Sequence, residues 1–406
     1  PANQGQEKGW KAPDRVSGQC CDSWPNRKSM AHCWDGSIGE NSTAIESLMS
    51  APQTVERTVV LHVGMHKTAS TYIQKRLRKN RGLLRRHGLL MPARRRQDKT
   101  LLQATKKGSW KQWRRWLDRA DAMECQLLVS HEALSWVLTK PGKDNLHPRG
   151  LWLAKKLQSQ GWRLKIVGFI RDQESYLNSR YTQLVKRLKV YVDFKSYVTK
   201  VMNENTISEC DLMTLFSWLK DEPSIETVMI PFGSALNLNG RSIHERPDPY
   251  EQLLAELPLP AKLAEQSRPA RSRNQQPGRL GVALARAINN HFAEQNPRCL
   301  RQHKKALRNA IEVLAKERRW PEEPFNGLDA EIRATIRHRY GQTNRDFCQC
   351  FWPTMQWDDL FPPQPENLPP DISSDQQSWE SSQLKALRDQ LIADTVKTGQ
   401  KGFSQG

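Results

Sequence analysis

Apolar residues fall into two patterns between positions 58 and 231, and the two alternate. Four short runs, Val59–Val63, Leu127–Val129, Lys165–Ile170 and Thr227–Ile230, are continuously apolar or nearly so, and most are rich in β-branched residues. Such runs suit strands covered on both faces, as in a parallel sheet. Between them the apolar positions recur at helical spacing. Ile73, Leu77 and Leu84 share one face, and Leu177, Tyr181, Leu184 and Leu188 share another. Leu212, Leu215, Phe216 and Leu219 make a third stripe. Strands alternating with helices predict an α/β sheet with right-handed crossovers.

Beyond Pro231 the strand signal stops. Helices are expected around 248–256, 278–292, 300–318 and 328–340, the second carried by Leu280, Leu284 and Ile288. Prolines 362, 363, 365, 369 and 370 read as a linker, and Leu384, Leu387 and Leu391 as a short amphipathic helix that docks on the body or on a second subunit. Residues 1–54 show no sustained period. The expected organisation is an irregular arm over 1–54, an α/β domain with a helical C-terminal half over 55–361, and a linker with a tail helix over 362–406.

A chain of 406 residues, 37% hydrophobic, has room for a sizeable core. No run reaches the roughly 18–20 apolar residues a membrane-crossing helix needs, and no basic-then-apolar leader opens the chain. A cytoplasmic protein without a membrane span is therefore expected. The eight cysteines include no C-x-x-C pair, which argues for free thiols and against a structural zinc site.

Charge is uneven. The chain carries a net +20, and from Lys75 to Arg119 seventeen Lys or Arg face two acids, Asp98 and Asp118. A field of that size draws anionic partners without naming them. Trp110, Trp113 and Trp116 lie within this stretch at i, i+3, i+6. The plain reading is that they pack and the charges are solvated. The sharper one is an acceptor surface for an anionic glycan, with indoles on sugar faces.

The strongest chemical signal is the segment from Val59 through Gly64, Met65, His66, Lys67, Thr68, Ala69, Ser70 and Thr71. An apolar strand runs straight into a turn of small and hydroxyl residues and then into an amphipathic helix. Backbone N–H groups and the positive end of the helix dipole converge there on one anion. Lys67 adds a charge, and the hydroxyls of Thr68, Ser70 and Thr71 add donors. The segment is not a Walker A sequence: Lys67 follows Gly64 by three residues and no second Gly precedes it.

This loop resembles the phosphosulfate-binding loop of the superfamily of sulfotransferases that use 3′-phosphoadenosine 5′-phosphosulfate (PAPS). G-M-H-K-T-A-S-T is similar to the G-M-H-K-T-G-[ST]-[ST] form of bacterial members, with Ala69 where Gly is usual. Ala replaces Gly freely only where φ is negative, so φ at position 69 tests the loop. The resemblance spans roughly residues 57–235. It implies a P-loop-type parallel sheet flanked by helices, sulfotransferase-like, with a helical C-terminal portion. It also implies PAPS as co-substrate with no metal required.

A second signature follows at a matching distance. The third apolar run ends at Ile170, and Arg171 comes next, with Ser179 eight positions on, about two helical turns. In the resembled family such an Arg and Ser bind the 3′-phosphate. The plain alternative is an Arg paired locally with Asp172 or Glu174. Resemblance also assigns Lys67 to the bridging oxygen. The general base is left among Glu132 and His131, which follow the second run, and His66; His62, within the strand, reads as a core histidine. The segments Arg273-Asn274 and Asn344 to Phe347 look loosely family-like.

The function expected is sulfuryl transfer to an acceptor hydroxyl or amine, with a carbohydrate or glycoconjugate as the acceptor hypothesis. Three rivals stand beside it. A P-loop-type kinase would need magnesium. A basic nucleic-acid-binding protein would not need the strand–Gly–Lys–Thr turn. A catalytically silent nucleotide-binding relative would explain Ala69.

Overall fold

The computed structural model describes residues 57–93, 95–142, 147–203, 209–220, 222–236, 247–270, 276–295, 297–363 and 374–401. Five strands form one sheet: β1 (Thr58–Gly64), β2 (Leu89–Leu90), β3 (Gln126–Ser130), β4 (Arg163–Ile170) and β5 (Ile225–Pro231). Their order is β2-β3-β1-β4-β5, and every pairing is parallel. The four predicted runs are β1, β3, β4 and β5. The edge strand β2 has two residues, too few to leave a pattern in the sequence.

The register explains why the strands read as unbroken apolar runs. Val59, Leu61 and Val63 of β1 enter one core, with Leu127, Val129, Leu164 and Ile166 from the neighbouring strands. Val60 enters a second core on the opposite face, with Ile73 and Leu77 of helix α1 (Ser70–Lys79) and with Leu128 and Phe169. Each face is covered by helices, so both side-chain sets along a strand are dry. The stripe predicted to run from Ile73 to Leu84 is split between two helices, α1 and Arg81–Arg86, with Asn80 between them. Asn80 is buried, and its side-chain amide donates to the Arg76 and Arg268 carbonyls at 2.9 and 3.0 Å.

The basic stretch is not simply a charged surface. Trp110 immediately precedes the helix Lys111–Asp121 rather than lying on it. Trp113 and Trp116 are buried, and Trp113 Nε1 donates to Thr105 Oγ1 at 3.1 Å. The packing reading of these indoles holds, and neither buried ring is open to a sugar. Some of the charge is also used internally, with Arg78 on Asp98 at 3.0 Å and buried Arg76 paired with Asp248.

The C-terminal part is helical. Helices Gly278–Gln295, Pro297–Glu317 and Ser374–Lys401 pack on one another, so the tail helix docks on the body and runs to 28 residues rather than being the short helix expected. Arg279 grips buried Glu380 with two hydrogen bonds, at 2.6 and 2.8 Å. The helix Ala330–Phe351 extends past the predicted end at 340 and returns to the sheet. Beyond it, Trp352 Nε1 donates to the Met229 carbonyl of β5 at 2.7 Å. Residues 1–54, Arg273-Asn274 and most of the Pro-rich linker lie outside the described residues. Among the described residues no helix is long and apolar enough to cross a membrane.

Candidate functional site

The strand order places the site. After β1 the chain leads toward β3 and β2, and after β4 toward β5, so a crevice opens between the carboxyl ends of β1 and β4. Open α/β sheets take ligands at such a divergence. The two strand ends are tight neighbours there, Gly64 lying in register with Phe169. A Cβ on Gly64 would stand 3.1 Å from both the Phe169 nitrogen and oxygen, and its φ of 154° excludes most L side chains. Gly64 is thus the floor of the turn and does not itself line the cleft.

The turn above it contains two left-handed residues, Lys67 (φ 72°) and Ala69 (φ 56°). The negative φ that would make Ala a free substitute is not adopted: the glycine-like shape is kept with a Cβ in place, at a cost of about 1–2 kcal/mol. Contacts from outside hold it there. Thr68 Oγ1 donates to the Met65 carbonyl at 2.8 Å, and Arg171 Nη1 donates to the Lys67 carbonyl at 3.0 Å. Thr68 is fully buried and away from the cleft, so its hydroxyl shapes the turn and is not a ligand donor. The Tyr72 and Ile73 amides both donate to the Ala69 carbonyl, at 2.8 and 3.1 Å. The preceding amides, of Ser70 and Thr71, open α1 ahead of that first intrahelical acceptor.

The turn and the β4 end meet across a cleft of about 1380 Å³. His66, Lys67, Ala69, Ser70 and Thr71 line it from the turn, Glu132 from beyond β3, and Arg171 and Ser179 from β4 and the following helix. The two signatures, 104 positions apart at Lys67 and Arg171, are thereby in direct hydrogen-bond contact. Arg171 also donates through Nε to Ser175 Oγ at 2.8 Å. The acids proposed as its plain partners have work elsewhere. Asp172 caps the helix Gln173–Lys186, accepting from the Ser175 amide at 2.8 Å. Buried Glu174 accepts from Arg333 at 2.6 Å and also from Arg337.

The cleft is electropositive. Burial pushes the Lys67 ammonium down to about 8, and nearby Arg171, Arg187, Arg180 and Lys186 push the same way. An anion arriving there relieves that repulsion.

The three base candidates separate. His66 lies between two carboxylates, its Nδ1 3.2 Å from Glu132 Oε1 and its Nε2 3.2 Å from Glu209 Oε1. Tyr176 donates its hydroxyl to the other oxygen of Glu209, and burial together with that carboxylate drives the Tyr176 phenol well above its ordinary value. His131 is displaced from candidacy. Its Nδ1 accepts from the Ala133 amide at 3.2 Å, its own amide donates to the His62 carbonyl at 3.1 Å, and it does not line the cleft. It shapes the turn after β3. His62 is the core histidine expected, 2.7 Å from Ser130 Oγ, with burial holding it down at about 4.

Glu209 and Tyr176 carried no signal in the sequence, since neither belongs to a spaced motif. Arg333 and Arg337 left a trace, their i, i+4 spacing placing both on one helical face. Asn344 is explained: it exchanges two amide hydrogen bonds with Gln173, at 2.6 and 3.1 Å, in a buried pair that ties the helix Ala330–Phe351 to the helix beyond β4. Among the described residues no group of three or more His, Cys, Asp or Glu is arranged to hold a metal.

No family model matches the chain, and neither a curated protein nor a solved structure does.

Proposed function

We propose that this chain is a sulfotransferase of the PAPS-dependent kind, moving a sulfuryl group to a hydroxyl or amine of a carbohydrate or glycoconjugate acceptor, and that its sheet is the sulfotransferase-like variant of the P-loop type. The observation that carries this is the direct contact between Arg171 and the Lys67 turn at the mouth of a cationic cleft, with Ser179 lining the same wall. Neither motif is specific alone. Their meeting supports one ligand with an anionic group at each end.

PAPS supplies an activated sulfuryl group. The Ser70 and Thr71 amides and the start of α1 suit its 5′-phosphate, while Arg171 and Ser179 suit its 3′-phosphate. Lys67 lies where it can stabilise charge on the bridging oxygen as the sulfuryl group departs. Glu132 lines the same cleft and is the group that can take the acceptor proton, with His66 beside it. Trp113 and Trp116 are buried, and among the described residues Trp357 on the cleft wall is an indole suited to a sugar face.

The test is calorimetric titration with 3′-phosphoadenosine 5′-phosphate, without magnesium, for the protein as it stands and for Lys67→Ala and Arg171→Ala. Micromolar binding weakened at least tenfold by each change is expected. No binding, or equal binding of ATP with magnesium, would overturn the reading.

A further inference from the structure

Outside the cleft, two partly buried indoles meet. Trp110, just before the helix Lys111–Asp121, packs edge to face on Trp152, in the first turn of the helix Arg149–Gln158, with ring centroids 6.4 Å apart and planes at 85°. Both rest on the core, and both keep part of their surface in water. The charges around them have one sign. Lys106 and Lys107 close the helix Arg95–Lys107 and Lys111 follows Trp110. Arg114 lies one turn on, its amide bonded to the Trp110 carbonyl at 3.0 Å. Lys155 and Lys156 stand three and four positions beyond Trp152, on its face of the helix. All six cations are exposed, and none is paired with a carboxylate among the described residues. The stretches 99–117 and 145–170, which supply them, contain no Asp or Glu.

Topology puts this corner beside the cleft. The helices Lys111–Asp121 and Arg149–Gln158 lead into the amino ends of the parallel strands β3 and β4. Their starts therefore lie toward the carboxyl edge of the sheet, the edge where the cleft opens. The helix Leu134–Thr139 begins two positions after Glu132 and packs against both Arg95–Lys107 and Arg149–Gln158. The indole corner is thus on the β3 side of the cleft, one helix away from Glu132.

We propose that the Trp110–Trp152 corner and its lysines form a docking surface for an acidic polysaccharide, the remote part of an acceptor chain whose reacting sugar enters the cleft. The acceptor role rests on the sulfuryl-transfer reading; the binding of an acidic sugar chain here does not. Such a chain meets both features at once. The apolar face of a sugar ring lies on an indole, and carboxylates or sulfates repeated along the chain meet the surrounding ammonium groups. A membrane surface fits less well, because both indoles are packed into the core and neither is set to insert. Single-stranded nucleic acid stacks successive bases on open aromatic faces, whereas these two rings meet at nearly a right angle. A chain held at the corner also raises the effective concentration of its other sugars at the cleft, so long acidic acceptors are favoured over short ones.

Calorimetric titration of the whole chain with long chondroitin sulfate and with alginate, one sulfated and one only carboxylated, tests the surface without turnover. Micromolar binding of at least one is expected, and neutral dextran should not bind. Lys111→Gln, Lys155→Gln and Lys156→Gln combined should weaken binding about tenfold or more and flatten its salt dependence. Trp152→Leu should weaken it too, and the exposed lysine changes serve if that variant misfolds. No binding of either chain, equal binding by the lysine variant, or tighter corner-dependent binding of poly(dT) or of phosphatidylserine vesicles overturns the proposal. With PAPS, the lysine variant should raise the KM for a long acceptor chain about tenfold while leaving kcat and the KM for a disaccharide of the same polymer unchanged. An unchanged KM for the long chain would refute the acceptor role. Corner-dependent glycan binding without binding of 3′-phosphoadenosine 5′-phosphate would sink the transfer reading and leave the docking surface standing. Nucleotide binding with glycan binding indifferent to the corner would do the reverse.

Discussion

Lys67 offers the sharpest test of the cleft's electrostatics, because its ammonium titrates at about 8 in the free protein, against 10.5 for an ordinary lysine. At about pH 7 it is roughly nine-tenths charged, and at about pH 9 roughly one-tenth. A dianionic phosphate beside it restores the charge on binding. Above about pH 8 the ligand must therefore bring a proton with it, and affinity should fall about tenfold between pH 7 and 9, a loss of about 1.4 kcal/mol. The phosphates of 3′-phosphoadenosine 5′-phosphate are already ionised over this range, their second pKa being about 6, so the slope belongs to the protein. Titration calorimetry at three pH values, in buffers of different ionisation enthalpy, reads both affinity and proton uptake. Lys67→Arg should bind with a flat profile, since guanidinium stays charged. Lys67→Met should bind weakly and also flatly. A flat profile for the unmodified protein, or an equal slope in Lys67→Met, would refute the reasoning. The same shift has a sign for stability. Between about pH 8 and 10.5 the unfolded chain binds more protons at this position than the folded one, so stability rises across that window as the charging penalty is lifted.

Other outcomes follow from the turn and from the tail. Ala69→Gly removes a Cβ from a left-handed position and should raise stability by about 0.5–1 kcal/mol after the added freedom of the unfolded chain is counted; a lower urea midpoint would contradict the strain. Gly64→Ala should cost about 1–3 kcal/mol, because the new methyl meets the Phe169 backbone in a glycine-only region, and an unchanged midpoint would mean β1 and β4 can part there freely. Arg279→Met should leave buried Glu380 without its two guanidinium hydrogen bonds and speed hydrogen exchange across Ser374–Lys401. Unchanged protection there would show that apolar packing alone holds the helix.

What could be read ahead of the structure was what depends on short-range pattern. The four long strands declared themselves because both faces are dry, and the Lys67 turn and the Arg171–Ser179 spacing could be seen as candidates because each lies within a few consecutive turns of chain. Leu89–Leu90 was lost because two residues make no period. His131 misled because a histidine just past a strand end has the same local look whether it faces a cleft or accepts the Ala133 amide. Thr68 misled in the same way, since only the fold reveals whether its hydroxyl meets solvent or the Met65 carbonyl. Glu209 was out of reach. Its meaning comes entirely from His66 and Tyr176, on elements more than thirty positions away. The tryptophans at 113 and 116 were ambiguous until the Thr105 hydroxyl claimed one indole.

The left-handed alanine carries a lesson about how such turns are described. Position 69 keeps the backbone shape that glycine would adopt most easily, and it does so because the Thr68 hydroxyl, the Arg171 guanidinium and the first amides of α1 dictate that shape from around it. What the surroundings enforce, the letter at that position need not encode. A motif written in amino-acid letters and insisting on glycine would pass over this turn, whereas one written in backbone angles would find it. The same holds for anyone grafting the turn onto another scaffold: the residues to carry across are the ones that hold it, and the alanine is the most replaceable part.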